Sequence, residues 1–265
     1  MSKLKVLGFY REKNKGAKAD SDKLIAEAVK DELLSRNYSV SLLNDFDGLN
    51  STNIIFSLSR NLETLDKLNK IKNHGVLIIN PPESVKICIN RKDLFTKLFD
   101  GKVPIPKTKI VSIKDCFNET EFPFFLKDGD NHFGDADEKF LIKSSQDLNQ
   151  ALNCLHKKGV KNVLIQEYVK GKEIKFYGIG NTILLPPTSL EQVSQIELSL
   201  IRKIALKATT VLKTDVFGGD IIFTKSNAVL IDFNEWPSFS TIREKAAVEI
   251  CNLIEQKARD LPLLS

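Results

Sequence analysis

Apolar and polar residues change period along the chain, and the changes mark out its elements. Residues 3–10, 38–43 and 53–58 read as strands, and 75–80, with the run Val76-Leu77-Ile78-Ile79, as a buried one. Between them, 20–36 has Leu24, Ile25, Ala28, Val29 and Leu33 on one helical face, with Asp20 or Ser21 as the N-cap, and 62–72 is amphipathic. Strands alternating with helices predict a parallel sheet with crossover helices. Pro81-Pro82 closes this α/β unit, which we place at residues 1–84.

The pattern then changes character. A helix over 82–99 ends at Gly101, Pro104 and Pro106. Strands follow at 107–112, 123–127 and 140–143, with a polar loop at 128–138, then a helix at 145–158 and a strand at 162–169. After Gly171 come strands at 173–178 and 182–185, a long helix at 192–212, strands at 219–224 and 228–234, and a closing helix at 240–259. Strands joined by both hairpins and helices predict an α+β domain over 85–265.

Composition narrows the class. The 265 residues are 42% hydrophobic and 28% charged, the balance of a globular protein with a normal core. There is no segment of about 20 uninterrupted apolar residues, so no membrane span is expected. The N-terminus lacks the long apolar stretch and small-residue cleavage site of a signal peptide. Cys88, Cys116, Cys154 and Cys251 are widely spaced, which favours reduced thiols in a cytoplasmic protein over a disulfide framework or a zinc site. The net charge of +5, without a dense basic and aromatic run, makes nucleic acid an unexpected partner.

Four places carry candidate chemistry. In Gly218-Gly219-Asp220 and the later Asp232-Phe233-Asn234, strand alternation puts Asp232 and Asn234 on one side, and a hairpin partner can bring Asp220 beside them. Two carboxylates and an amide oxygen suit Mg²⁺; a polar sheet face satisfied by turns is the competing reading. Asn90-Arg91-Lys92 precedes the helix that the prolines end. Lys127 sits on the otherwise apolar strand Phe124-Phe125-Leu126, where it needs an anion or must reach for solvent. Finally, the apolar strand ending in Gln166-Glu167-Tyr168-Val169 runs into a hinge with Glu173 beyond it, which otherwise reads as a strand end with solvated charges.

Taken in order, these motifs resemble the ATP-grasp superfamily. Its pattern is an N-x-K helix, an I-P-x-P-x-T strand, a lysine strand, a Q-E hinge with a downstream acid, a G-x-D strand and a D/E-x-N-x-x-P strand. Here the counterparts are Asn90-Arg91-Lys92, Val103-Pro104-Ile105-Pro106-Lys107-Thr108, Lys127, Gln166-Glu167-Tyr168-Val169, Glu173, Gly218-Gly219-Asp220 and Asp232-Phe233-Asn234-Glu235-Trp236-Pro237. The resemblance covers 82–255, and the N-terminal unit is similar to the Rossmann-like domain that precedes the ATP-grasp domain in this superfamily. It implies a two-lobed domain, with a lid lobe at about 104–168 and a catalytic lobe at about 169–265.

The resemblance also implies roles. Lys92 and Lys127 would hold ATP phosphates, with Gln166 beside them. The Glu167, Tyr168 and Val169 hinge would meet adenine through backbone groups, and Glu173 would take the ribose hydroxyls. Asp220, Asp232 and Asn234 would ligate Mg²⁺ or Mn²⁺. Three departures stand out: Asp232 where many members have Glu, an acidic loop at 128–138 where glycines are usual, and Gly218 where several ligases have an arginine. Arg243 either substitutes for that arginine or solvates the start of the last helix; with Lys175 it is the catalytic candidate.

The implied activity is that of carboxylate–amine ligases of the D-alanine–D-alanine ligase and ribosomal-protein glutamate ligase type, activating a small carboxylate as an acyl phosphate. A small-molecule kinase on the same fold and a non-catalytic nucleotide-binding module are the rivals. The expected partners are a small carboxylate and an amine, and homo-oligomerisation is left open. Arg11, Lys13, Lys15 and Lys18 in the loop after the first strand would draw an anionic substrate, unless the loop is a solvated connector.

Overall fold

The computed structural model describes residues 5–12, 17–44, 46, 52–115, 121–132 and 139–259, with only the backbone for 17–19. Three four-stranded sheets organise them. The first is built from β1 (Lys5–Phe9), α1 (Ala17–Ser35), β2 (Ser39–Leu43), β3 (Ile54–Ser57), α2 (Leu62–Lys72) and β4 (Leu77–Ile79). It is parallel, in the order β2-β1-β3-β4, as the alternation of strands and helices predicts. Ile25, Val29 and Leu33 of α1 pack on Val6, Ile54 and Phe56. Leu65 and Leu68 of α2 pack on Phe9, Ile55 and Ile78. Both faces are therefore covered, which accounts for the apolar runs in β3 and β4. Asp20 is not the N-cap of α1: the helix begins at Ala17, and Asp20 stands in its first turn, where the positive helix end favours an acid.

The helix expected over 82–99 is two helices, α3 (Pro82–Ile89) and α4 (Arg91–Asp100). Asn90 interrupts them with extended backbone (φ −104°, ψ 112°), and its side chain accepts the Asp93 N–H at 3.0 Å to cap α4. Asparagine competes with the helix in this way because its short amide mimics a backbone acceptor. The break turns Arg91 inward at the start of α4.

The second sheet comprises β5 (Thr108–Ser112), β6 (Phe124–Asp128), β7 (Lys139–Ile142) and β8 (Asn162–Glu167), with α5 (Ser145–Lys157) laid on one face. Its order is β5-β8-β6-β7, antiparallel throughout. The third contains β9 (Lys172–Ile179), β10 (Thr182–Leu184), β11 (Val216–Phe223) and β12 (Ala228–Glu235), in the order β10-β9-β11-β12. The short α6 (Pro187–Leu190) and α7 (Gln195–Leu212) lie between β10 and β11 in the chain. The helix expected at 192–212 starts later because Ser194 and Glu197 form a reciprocal capping box. Residues of α4 and α7 pack on Ile174, Phe176, Phe217 and Phe233 of the third sheet. The closing helix α8 (Arg243–Arg259) returns to the first unit, its Ala246, Ile250 and Ile254 sharing a core with Ile25 and Val29.

β11 and β12 pair antiparallel with one irregularity: Asp220 stands opposite Asp232, but Ile221 stands opposite Leu230, which leaves Ile231 as an extra residue in β12. Leu230 and Phe233 both face the core as a result. Gly219 permits the close pairing, since a Cβ there would meet the Asp232 carbonyl oxygen at 2.4 Å.

Candidate active site

Strand phasing decides what faces the space beside the third sheet. In β11, Phe217, Ile221 and Phe223 enter the core, so Gly218, Asp220 and Ile222 take the opposite face. On β9, Ile174 and Phe176 enter the core and Glu173 and Lys175 turn away. On β12, Asp232 and Asn234 turn away. The register sets Lys175 opposite Asp220 and Asp220 opposite Asp232, a row across three strands. Asp220, Asp232 and Asn234 are thus brought to one face, with Glu173 and Lys175 beside them.

The second sheet supplies facing groups. Lys127 on β6 is only 5% exposed. Its Nζ donates to Gln166 Oε1 at 2.6 Å and stands 5.8 and 5.7 Å from the Phe95 and Phe125 ring centres. Gln166 Nε2 donates in turn to Thr108 Oγ1 at 3.4 Å. Burial lowers the Lys127 ammonium to about 7, although Asp232 and Glu173 act to raise it. Lys139, opposite Lys127 in β7, lies 4.8 Å from the Phe125 ring centre and lowers the pKa of both Lys127 and Asp220. The sequence reading passed over Lys139; its place opposite Lys127 in a hairpin was the available signal.

The two carboxylates of this face differ. Burial raises Asp220 to about 6; Asp232 and Glu173 add to the rise and Lys175 opposes it. For Asp232, burial also acts to raise the pKa, but His132, Lys127 and Asn234 outweigh it and hold the carboxyl well below the usual range. Asp232 Oδ1 meets His132 Nε2 at 2.7 Å, and Oδ2 accepts from Asn234 Nδ2 at 2.9 Å. A divalent cation fits this donor set: the oxygens are hard, and an ion between Asp220 and Asp232 would offset the burial, and the smaller repulsion from Asp232, that raise Asp220. Among the described residues no three His, Cys, Asp or Glu side chains stand as a ready metal cluster; the third donor here is an amide.

The remaining candidates fall less simply. Glu167 donates its backbone N–H to the Lys107 carbonyl at 2.9 Å, and its carboxylate accepts the Lys107 N–H at 3.3 Å, so that N–H is spent within the protein. Tyr168 is exposed at the hinge, with its ring 5.8 Å from Phe125. Val169 follows in the connection to β9. Lys92 is exposed, while its neighbour Arg91 is the buried cation. Arg91 donates to the carbonyls of Asp128, Asn131 (2.7 Å) and His132 (3.0 Å). The break at Asn90 causes this exchange, since Arg91 opens the new helix on its inner face. Arg243 is not brought to the site: it opens α8 and lines a surface recess with Glu27 and Asp31 of α1.

Two loops also depart from expectation. Residues 128–132 are fixed by Arg91 and by backbone bonds from Lys92 N to Gly129 O (2.7 Å) and His132 N to Ile89 O (2.9 Å). The part of the expected lid at 133–138 lies outside the described residues. After β1, Arg11 is not a steering charge: its Nε lies 2.6 Å from Asp22, its Nη1 3.3 Å from Glu235, and its Nη2 donates to the Trp236 carbonyl at 2.8 Å. Lys13, Lys15 and the side chain of Lys18 lie outside the described residues, as does Cys116.

Buried Lys127 on one antiparallel sheet and the Asp220, Asp232 and Asn234 face of another are close enough to shift one another's ionisation, and the chain has the ATP-grasp fold. It superposes on a D-alanine–D-alanine ligase from Bacillus anthracis with a TM-score of 0.77 at 12% identity, covering 97% of this chain and 98% of that one. It also superposes on a RimK-domain ATP-grasp protein from Sphaerobacter thermophilus, with a TM-score of 0.74 at 12% identity and coverage of 94% and 99%. The VanG D-Ala:D-Ser ligase from Enterococcus faecalis gives 0.74 at 12%, with 96% and 99% covered. No protein-family model and no curated protein sequence matches the chain. Among the described residues no helix is long and apolar enough to cross a membrane.

Proposed function

We propose that the protein is a carboxylate–amine ligase dependent on ATP and a divalent cation, Mg²⁺ or Mn²⁺, in which a small carboxylate becomes an acyl phosphate that an amine attacks. The observation that carries this reading is the pairing of buried Lys127 on one sheet with the Asp220, Asp232 and Asn234 face on the other. Phosphoryl transfer asks little covalent chemistry of a protein; it asks for cations and a metal where charge collects. Lys127, oriented by Gln166, would bind phosphate oxygens, with Lys139 and Lys175 adding charge. The Glu167–Val169 hinge would frame the adenine, and Glu173 would reach the ribose. A bound divalent cation, held by Asp220, Asp232 and Asn234, would neutralise phosphate charge.

The acid and amine would enter through a cleft of about 620 Å³ whose lining includes Arg11, Glu12, Arg60, Asn90, Asp130 and Asn131. Its lining is polar, which suits small polar substrates. The unpaired Cys88, Cys154 and Cys251 suit a reducing, cytoplasmic setting. The test is ADP release against pooled acids and amines. ADP formation that requires both, with an amide product, is expected. ADP formation with a hydroxyl acceptor and no amide would make the protein a kinase. ATP binding with no ADP from any pool would make it a nucleotide-binding module.

A further inference from the structure

His132 closes one side of the carboxylate face, and the sequence reading gave it no role. Its side chain is 3% exposed. Nδ1 lies 2.9 Å from the Cys88 carbonyl oxygen. A carbonyl only accepts, so Nδ1 carries its hydrogen and the ring's other nitrogen, Nε2, is the one presented to Asp232 Oδ1 at 2.7 Å. A nitrogen and a carboxylate oxygen at that distance share an electrophile: a proton, as in the ion pair that lowers Asp232 in the ligand-free protein, or a metal ion that takes the proton's place. Metal-ligating histidines have this arrangement: the far N–H is tied to a backbone carbonyl or carboxylate, which fixes the tautomer and aims the other nitrogen.

The surroundings hold His132 there. Its backbone N–H donates to Ile89 O at 2.9 Å and its carbonyl accepts from Arg91 Nη2 at 3.0 Å. The residue is therefore fixed to the α3–α4 junction, while Asp232 is fixed on β12 with Asn234 on its other oxygen. Two ligands at about 2.1 Å on one octahedral ion stand about 3 Å apart. The pair is already within a few tenths of an ångström of that spacing, and Asp220 stands opposite Asp232 on the next strand.

We propose that His132 is a nitrogen ligand of the divalent cation in this cleft, sharing it with Asp232, and that this makes the site select a first-row transition ion such as Mn²⁺ over Mg²⁺. Mg²⁺ prefers oxygen donors and sheds water reluctantly, whereas imidazole suits the transition ions. The inference rests on the nucleotide cleft proposed above, so its test separates the two. The protein, in excess over Mn²⁺ and ATP, is examined by pulsed electron paramagnetic resonance, and equilibrium dialysis measures ATP retention on the same samples.

The expected result is a nitrogen coupling that changes from ¹⁴N to ¹⁵N when the protein carries ¹⁵N-histidine, together with a preference for Mn²⁺ over Mg²⁺ that falls about tenfold or more in His132→Gln. The other two of the three histidines, His74 and His156, are exposed, so the double variant His74→Gln/His156→Gln leaves only His132 to label. That variant must keep the ¹⁵N signal, which holds the test open even if His132→Gln fails to fold. ATP retained without any histidine coupling overturns the ligand assignment and leaves the nucleotide cleft standing. A coupling that survives in His132→Gln also overturns the assignment. Neither retention nor coupling overturns both readings together.

Discussion

Asp232 and Glu235 stand three residues apart on β12, and they use their charge in opposite ways. Glu235 is 0% exposed and lies between two arginines: Arg60 donates to its Oε1 through Nε, and Arg11 Nη1 stands 3.3 Å from the same oxygen. Arg60 also donates to the Glu235 carbonyl at 3.3 Å. Burial lowers Arg60 to about 10, with Arg11 adding to the shift and Glu235 opposing it. These arginines follow β1 and β3, so the cluster fastens the parallel unit to the third sheet. Asp232 faces a cleft where its neighbours include a carboxylate held at about 6 and a lysine held at about 7. The difference teaches that enclosure, more than pairing, separates the two charges. Glu235 is shut in with two arginines, even though its Oε2 has no hydrogen-bond partner, whereas Asp232 has a partner on each oxygen and still leaves 36% of its side chain exposed.

The comparison breaks most visibly on the Glu235 side. Glu235→Ala leaves two buried guanidinium groups without their carboxylate, and should cost about 3–5 kcal/mol of stability in urea unfolding. A loss under about 1 kcal/mol would mean that the cluster is not a structural fastening.

On the cleft side, Lys127→Ala should weaken ATP binding by about 1–3 kcal/mol, the scale of a lost charge-assisted bond, as read by calorimetry. Lys92→Ala, exposed beside Arg91, should change it by less than about 0.5 kcal/mol. Equal losses in the two variants would return Lys92 to the phosphate-binding role that its exposure argues against. Binding near pH 8 should also take up a proton, because phosphate favours the charged ammonium of a lysine that titrates at about 7 when free. Calorimetry in buffers of different ionisation enthalpy reads that uptake, and Lys127→Ala should abolish it.

A smaller effect than that of Lys127→Ala is expected at Asp220. Its folded pKa of about 6 lies above that of an unfolded Asp, so the ionised group costs stability. That cost is absent below about pH 4, grows as pH rises to about 6, and is complete above it. Asp220→Asn should therefore stabilise the ligand-free protein by about 1–2 kcal/mol at pH 8, and by almost nothing at pH 4, while weakening cation binding. A destabilised variant at pH 8 would place Asp220 with Glu235 among the structural charges.

Much of the fold was legible because period and punctuation are local. The parallel unit and the alternation that turns Asp232 and Asn234 to one side both follow from spacing. The break at Asn90 was hidden because an asparagine amide competes with the helix only where tertiary packing rewards the stop. His132 and Lys139 were missed because each gains meaning from a residue distant in sequence, Asp232 and Lys127. Arg11 and Arg243 looked like available cations in sequence; burial beside Asp22 and Glu235 removes the first from solvent, and the return of α8 to α1 carries the second away. No local pattern reports either event.

The extra residue at Ile231 divides β12 into two phases. On the turn side of it Leu230 points into the core, and on the other side Phe233 does, so the two halves of the strand keep time by different beats. An in-frame loss of one codon at 231 would therefore be absorbed without turning the strand over: Leu230, Asp232, Phe233 and Asn234 would follow one another in ordinary alternation, with Asp220 still opposite Asp232 and Ile221 still opposite Leu230. What the extra residue contributes is a local bend and added twist beside the carboxylates, and a lineage could shed it and keep every face of the strand as it is.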